Sequence, residues 1–231
     1  MTPERIFDEE KVSRKNRVLV MASGGGTNFQ EIINGVESGK LNAQIVGLLS
    51  DNPEAGALIR ARNHGIEEIV VSSIGRRRRD SIERAQFEQE LVDEINKRKP
   101  DLVVLAGWMM ILKDPFLEEM QKQNVSVINL HPALLTQNAD YFVETTIGTI
   151  PVIRGAHAIV DAFGMNLKVS GVTVHEVLPG MQFDTGPIIL QREVYRSDRD
   201  NIEDWEKRIH EAEYQVLPLA IAKKLEDLNN A

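Results

Sequence analysis

The strongest constraint on the fold is a regular alternation of short apolar runs with amphipathic stretches. Apolar, β-rich runs occupy residues 17–21, 43–49, 68–71, 102–106 and 125–130, and stretches with helical periodicity lie between them. The run at 102–106 (LVVLA) has no polar position, which is typical of a strand buried on both faces. Strands that alternate with helices at this spacing predict an α/β fold with a doubly wound, mostly parallel sheet.

The second half of the chain has a different pattern. Residues 171–177 and 188–194 show β alternation with turn residues between them, which predicts an antiparallel C-terminal part of the sheet, and 202–227 reads as a terminal helix. Because no linker or repeat interrupts the chain, we expect a single domain over 1–231. It comprises an N-terminal extension (1–16), a first half (17–130) and a second half (131–231).

The composition excludes several kinds of catalytic and metal sites and disfavours some partners. The chain has no cysteine, so disulfides, thiolate metal sites, iron–sulfur clusters and a cysteine nucleophile are excluded. Its net charge of −8 disfavours nucleic-acid partners, and no apolar run approaches the roughly 18 residues of a membrane span. We therefore expect a cytoplasmic enzyme of small molecules. The basic run at 76–79 precedes an acid-rich stretch, with which a solvated loop would pair.

A glycine-rich loop, Gly24-Gly25-Gly26-Thr27-Asn28, follows the first predicted strand and opens a helix. Free N–H groups and the positive end of the helix dipole suit a phosphate there. A Walker loop is excluded because the sequence here lacks the Gly-Lys-Ser/Thr ending that such a loop requires. A dinucleotide site is disfavoured, although Asp51 follows the second strand, because Phe29 stands where a small residue is needed. A single phosphate is the preferred interpretation, and a plain turn capped by Thr27 or Asn28 is the alternative.

A second group of residues is centred on Asn129 and His131. Residues i and i+2 of a strand face the same side, so these two would project together at the carboxyl end of a parallel strand. Asp184 lies in an Asp-x-Gly-Pro turn, and a carboxylate close to a histidine favours the imidazolium. An ordinary turn is an equally good interpretation of that motif. His175 fits either a core or a supporting position, and we expect His210, in a helix, to be exposed.

The chain lacks two common catalytic patterns: a nucleophile elbow and metal-ligand histidine spacing. An amide, an imidazole and a carboxylate without a nucleophile indicate direct transfer at a carbonyl. The amide and imidazolium would stabilise an oxyanion while the carboxylate and imidazole move protons.

Several segments of the chain resemble the phosphoribosylglycinamide formyltransferase family. They are RVLVMASGGGTNFQ (17–30), SDNPEAGALIRARNHGI (50–66), DLVVLAGWMMIL (101–112), VINLHPALL (127–135), GVTVH (171–175) and DTGPIILQ (184–191). Asn-x-His-Pro paired with Asp-x-Gly-Pro is shared by formyltransferases in general, whereas the Ser-Gly-Gly-Gly-Thr-Asn loop indicates the glycinamide ribonucleotide branch. The resemblance spans most of the chain, from about Arg17 to Ala222.

The resemblance implies a Rossmann-like formyltransferase fold, with a nucleotide-binding first half and a folate-binding second half. It implies three catalytic residues, Asn129, His131 and Asp184, supported by His175. The ribonucleotide would contact Gly26, Thr27, Asn28 and Glu213. The folate would contact Arg84, Met109, Met110, Ile111 and Leu112 and the loop 177–184, although simple core packing is the alternative for 109–112.

The resemblance also implies 10-formyltetrahydrofolate as co-substrate, phosphoribosylglycinamide as acceptor, no metal, no nucleic-acid or membrane partner, and a monomer or weak homodimer. Departures from the family pattern are Met110 in place of arginine, His210 in place of glutamine or lysine, and an insertion around 138–153. Rival interpretations are a formyl-folate hydrolase, a methionyl-tRNA formyltransferase and a non-catalytic nucleotide-binding module.

Overall fold

The computed structural model describes residues 14–76 and 80–230, so most of the N-terminal extension and the arginines at 77–79 lie outside the described residues. The strands are β1 (Asn16–Met21), β2 (Ala43–Ser50), β3 (Glu68–Val70), β4 (Leu102–Leu105), β5 (Ser126–His131), β6 (Phe142–Thr145), β7 (Gly148–Pro151), β8 (Val169–Glu176) and β9 (Ile188–Tyr195). The helices are α1 (Thr27–Glu37), α2 (Gly56–Asn63), α3 (Ile82–Arg98), α4 (Asp114–Lys122), α5 (Ala158–Gly164) and α6 (Ile202–Asn230).

The main sheet has seven strands in the order β3-β2-β1-β4-β5-β8-β9. Strands β1 to β5 pair in parallel, whereas β8 pairs antiparallel with β5 and with β9. The predicted α/β class and the antiparallel C-terminal part are therefore confirmed. The β5–β8 register sets Asn129 opposite His175, which brings two predicted site residues together across neighbouring strands.

Helices cover both faces of the sheet, which is why the central strands are apolar throughout. Along β1, Val18 and Val20 join one hydrophobic cluster, while Leu19 and Met21 join a second on the opposite face. The first cluster includes aromatic and aliphatic side chains of α1 and α6, and the second those of α3 and α4. This two-sided burial leaves the carboxyl ends of the strands as the open edge where ligands bind in such sheets.

The structure adds elements that the sequence pattern does not predict, in and just after the insertion. Strands β6 and β7 form a separate antiparallel hairpin, and α5 follows it. The hairpin strands are short and exposed, with Phe142 63% accessible, so they lack the burial that produces a readable hydrophobic pattern. Thr146 at the hairpin tip donates its N–H to Glu193 of β9 at 2.9 Å, which fixes the hairpin against the edge of the main sheet.

Helix α6 continues through Pro218 and presents Trp205, Ile209 and Leu217 to the core. It is the longest helix of the described part of the chain, and its exposed side is charged. Across the described ranges, no helix combines the length and the apolar character needed to cross a bilayer.

Candidate active site

A cavity of about 920 Å³ opens at the carboxyl ends of β1, β4 and β5. Its wall includes the glycine loop after β1, the segment after β4, the end of β5 and the loop after β8. The predicted residues that line it are Gly26, Thr27, Asn28, Met109, Met110, Ile111, Leu112, Asn129, His131, His175, Asp184 and Glu213. A single cavity therefore brings together residues from six separate segments of the chain.

His131, the last residue of β5, is 4% exposed. Its Nε2 lies 2.8 Å from the carbonyl oxygen of Ile153, and its Nδ1 lies 3.6 Å from Oδ2 of Asp184. Because a carbonyl only accepts, Nε2 must carry the hydrogen. The Nδ1 atom is then the ring nitrogen that faces the carboxylate and the cavity.

Asp184 adopts the left-handed conformation, with φ 53°, in the loop between β8 and β9. The N–H of Gly155 donates to its Oδ2 at 2.8 Å, and Nδ2 of Asn129 approaches its Oδ1 at 3.4 Å. The loop folds tightly onto β8: a Cβ on Gly186 would meet the carbonyl oxygen of Glu176 at 2.3 Å. Asp184 thus sits in a turn and beside both candidate catalytic residues, so the two interpretations of its motif are compatible.

His175 is 2% exposed and lies opposite Asn129 on the neighbouring strand β8. Its Nδ1 lies 3.0 Å from the carbonyl of Glu176 and 3.1 Å from that of Thr185, so this nitrogen carries the hydrogen. Burial lowers the pKa of His175, which keeps the ring neutral near pH 7. Its Nε2 therefore accepts from Nδ2 of Asn129 at 3.3 Å and orients that amide.

The glycine loop turns at Gly26, the N-cap of α1, with φ 72°. Among the described residues no side chain caps this helix, contrary to the alternative in which Thr27 or Asn28 does so, and its first residues line the cavity. Asp51 is fully buried, accepts a hydrogen bond from Ser73 at 2.8 Å and is not part of the cavity wall. This placement agrees with a single-phosphate site better than with a dinucleotide site.

Glu213 of α6 connects the glycine loop to His210. Its Oε2 accepts from Nδ2 of Asn28 at 3.0 Å and from Nδ1 of His210 at 2.8 Å. His210 lines the cavity and is half-buried, so the expectation of a simply exposed histidine was wrong. The hydrogen bond with Glu213 raises the pKa of His210.

The segment after β4 alternates between exposed and buried side chains. Met109 and Ile111 are 57% and 51% exposed, whereas Met110 and Leu112 are buried, so the segment combines core packing with an apolar cavity wall. Arg84 does not line the cavity, despite the contact expected for it. It is 4% exposed, pairs with Glu88 at 2.8 Å and donates to the carbonyl of Ile111, which holds the segment from beneath.

Arg76, at the start of the basic run, pairs with Glu90 of α3 at 2.6 Å, as expected. Within residues 14–76 and 80–230, no group of three His, Asp or Glu side chains is arranged to hold a metal ion. The polar side chains that converge in the cavity thus include the amides of Asn28 and Asn129, three imidazoles (His131, His175 and His210) and the carboxylates of Asp184 and Glu213.

Comparisons with known proteins identify the family to which the chain is similar. The formyl transferase family model matches residues 16–221. The chain is 33% identical to a phosphoribosylglycinamide formyltransferase of Bacillus subtilis, covering 93% of this chain and 96% of the relative. It is 36% identical to a protein of the same name from Dictyostelium discoideum, covering 87% and 93%. The crystal structure of such an enzyme from Bacillus halodurans superimposes with a TM-score of 0.75 at 31% identity, covering 91% and 95%.

Proposed function

Because the chain belongs to the phosphoribosylglycinamide formyltransferase family, a family of enzymes of purine biosynthesis, we propose its complete reaction. The enzyme transfers the formyl group of 10-formyltetrahydrofolate to the amine of 5'-phosphoribosylglycinamide. The single observation that carries this proposal is the position of Asn129, His131 and Asp184. They line one cavity together with the glycine loop and an apolar wall.

The glycine loop suits the ribonucleotide. The uncapped N-terminus of α1 offers backbone N–H groups and a positive dipole to a phosphate, and Gly26 permits close approach of the backbone. Glu213, held by Asn28 and His210, adds a buried carboxylate acceptor for hydroxyl or amine groups of the same substrate. In this arrangement the acceptor amine reaches the end of β5.

The apolar wall of the cavity suits a flat, largely apolar ring system. Met109 and Ile111 expose apolar surface on one side, and Met181 and Phe183 of the loop after β8 expose it on the other. Arg84 acts indirectly in this proposal, because it fixes the backbone of Ile111 instead of contacting the folate. The formyl group on N10 would then lie next to Asn129 and His131.

The side chains of the cavity match direct attack by the amine on the formyl carbon. The side-chain Nδ2 of Asn129 lies 3.4 Å from Oδ1 of Asp184, at the long end of a hydrogen bond. This side-chain N–H is therefore available to the developing oxyanion. His131 supplies a second donor when protonated at Nδ1. The amine nitrogen bonds to the formyl carbon and loses a proton to Asp184. The bond from the formyl carbon to N10 then breaks, and N10 takes up the proton from Asp184.

The first test is the absorbance change on folate deformylation by the purified protein, with and without glycinamide ribonucleotide. We expect turnover that depends on the acceptor, and a loss of roughly 100- to 1000-fold in kcat for Asn129→Ala and for His131→Ala, because each removes an oxyanion donor. Asn34→Ala, on an exposed side of α1, is the matched control and should retain full turnover.

Three results would contradict the proposal. Deformylation without the acceptor would indicate a hydrolase, and no deformylation under any condition would indicate a binding module. Near-normal kcat in Asn129→Ala or His131→Ala, with a folded protein, would remove that residue from the mechanism.

A further inference from the structure

Three consecutive residues at the end of the insertion touch the candidate catalytic groups. The carbonyl of Ile153 accepts from Nε2 of His131 at 2.8 Å, and the N–H of Gly155 donates to Oδ2 of Asp184 at 2.8 Å. Between them, Nε of Arg154 lies 3.3 Å from the main-chain carbonyl of Asp184. This tripeptide therefore contacts the imidazole on one side and both the backbone and the carboxylate of Asp184 on the other.

The guanidinium of Arg154 extends these contacts to the start of the insertion. Its Nη1 and Nη2 each lie 3.1 Å from the carbonyl of Asp140, and Nη2 also lies 3.2 Å from the carbonyl of Asn138 and 3.5 Å from Oγ1 of Thr136. The N–H of Gly186 adds a parallel link, because it donates to the carbonyl of Gln137 at 3.1 Å. One half-buried arginine thus joins both ends of the insertion to the loop that carries Asp184.

We propose that Arg154 is a positioning residue: its guanidinium, anchored on the insertion through Nη1 and Nη2, holds the backbone of Asp184 through Nε so that the carboxylate faces Asn129 and His131. The inference rests on the proposed function, since it assigns Asp184 a place in that reaction. An arginine suits the task because its fixed donors satisfy several carbonyls at once, which a lysine ammonium on a flexible stem does not. The insertion at 138–153 then contributes to catalysis without contacting substrate.

The test is steady-state kinetics of Arg154→Met with both substrates. A displacement of about 1 Å in a catalytic group costs on the order of 100-fold, so we expect kcat to fall by about that factor while KM for the ribonucleotide changes little. The matched control is Arg196→Met: this half-buried arginine also donates to a main-chain carbonyl, that of Phe163. Neither arginine lines the cavity; the two differ because Arg196 bonds to Phe163 and Asn166 whereas Arg154 bonds to the backbone of Asp184. The kcat of Arg196→Met should therefore equal that of the wild type at a similar cost in stability.

Equal kcat in Arg154→Met and Arg196→Met, or a rise in KM with unchanged kcat, would overturn the proposal. If Arg154→Met does not fold, Arg154→Lys replaces it, with a smaller but still selective loss of kcat expected. A second readout separates this inference from the reaction itself: the ring resonances of His131, assigned with His131→Gln, should move in Arg154→Met and stay in place in Arg196→Met. If the wild type transfers no formyl group, the proposed function fails while this displacement still tests the positioning; unmoved His131 resonances would contradict it.

Discussion

Two residues with positive φ shape the site, and they do so for different reasons. Asp184 (φ 53°) is one of the residue types that tolerate the left-handed region, and its side chain is used in the cavity. Gly26 (φ 72°) must be glycine on two grounds, since a Cβ there would also lie 2.7 Å from both Cα and Cβ of Ala57. The close contact of α1 with α2 therefore depends on one missing methyl group.

This requirement predicts the effect of Gly26→Ala. We expect a loss of about 1–3 kcal/mol in the free energy of unfolding from the left-handed alanine alone, with the Ala57 overlap adding to it. Gly24→Ala is the matched control, because a Cβ at Gly24 meets nothing within 4 Å. Urea denaturation measures both variants, and equal stability of the two would disprove the close-contact argument.

The residues that sequence alone predicts are those whose signal is local. Asn129 and His131 follow from strand periodicity, and the glycine loop from its position between a strand and a helix. His210 and Arg154 have no such signal: one depends on α6 packing beside the loop, the other on contacts between residues about 15 and 30 positions apart in the chain. Arg84 was placed in the cavity by resemblance, although its geometry depends on a buried pairing with Glu88.

At the scale of elements, helix α6 is tied to the start of the loop that carries Asp184. Lys224 of α6 pairs with Glu176, the last residue of β8, at 2.8 Å, and their side chains are 11% and 23% exposed. Glu176 immediately precedes the loop that carries Asp184, and its carbonyl contacts His175. The same helix supplies Glu213, which bonds to Asn28, so α6 supports both the glycine loop and the loop that carries Asp184.

Breaking this pair gives a prediction for the element. Lys224→Met leaves the Glu176 carboxylate without its partner, and we expect about 2 kcal/mol of destabilisation, less than for fully buried pairs because Glu176 retains some solvent contact. The double variant Lys224→Met with Glu176→Gln should recover most of the loss. Lys207→Met, at an exposed position of α6, serves as control; a similar loss there, or none in Lys224→Met, would contradict the argument.

The main elements were predictable because two-sided burial gives them continuous apolar runs, and the alternation of those runs with helices defines the parallel order. The hairpin of β6 and β7 was not, because it rests on Glu193 and Tyr195 through its tip and leaves most of its side chains in solvent. Its packing energy comes from a few contacts with β9, which no pattern within the insertion records.

For the whole molecule, two histidines at the cavity have pKa shifts of opposite sign. Burial lowers the pKa of His175, so the unfolded chain binds a proton that the folded protein does not, and stability falls as pH drops below about 6.5. The hydrogen bond to Glu213 raises the pKa of His210, so the folded protein binds its proton more tightly. The stability contributed by His210 is fully present below about pH 6.5 and is lost as pH rises through the higher folded pKa.

The pH dependence of His210→Gln relative to the wild type tests this linkage for the whole molecule. The wild type should exceed the variant in free energy of unfolding by most below about pH 6.5, and the difference should shrink as pH rises through the raised folded pKa of His210. Urea denaturation at a series of pH values measures the difference, and His157→Gln, at an exposed histidine, controls for loss of an imidazole. A difference that is constant or grows with pH would show that Glu213 does not hold the protonated ring.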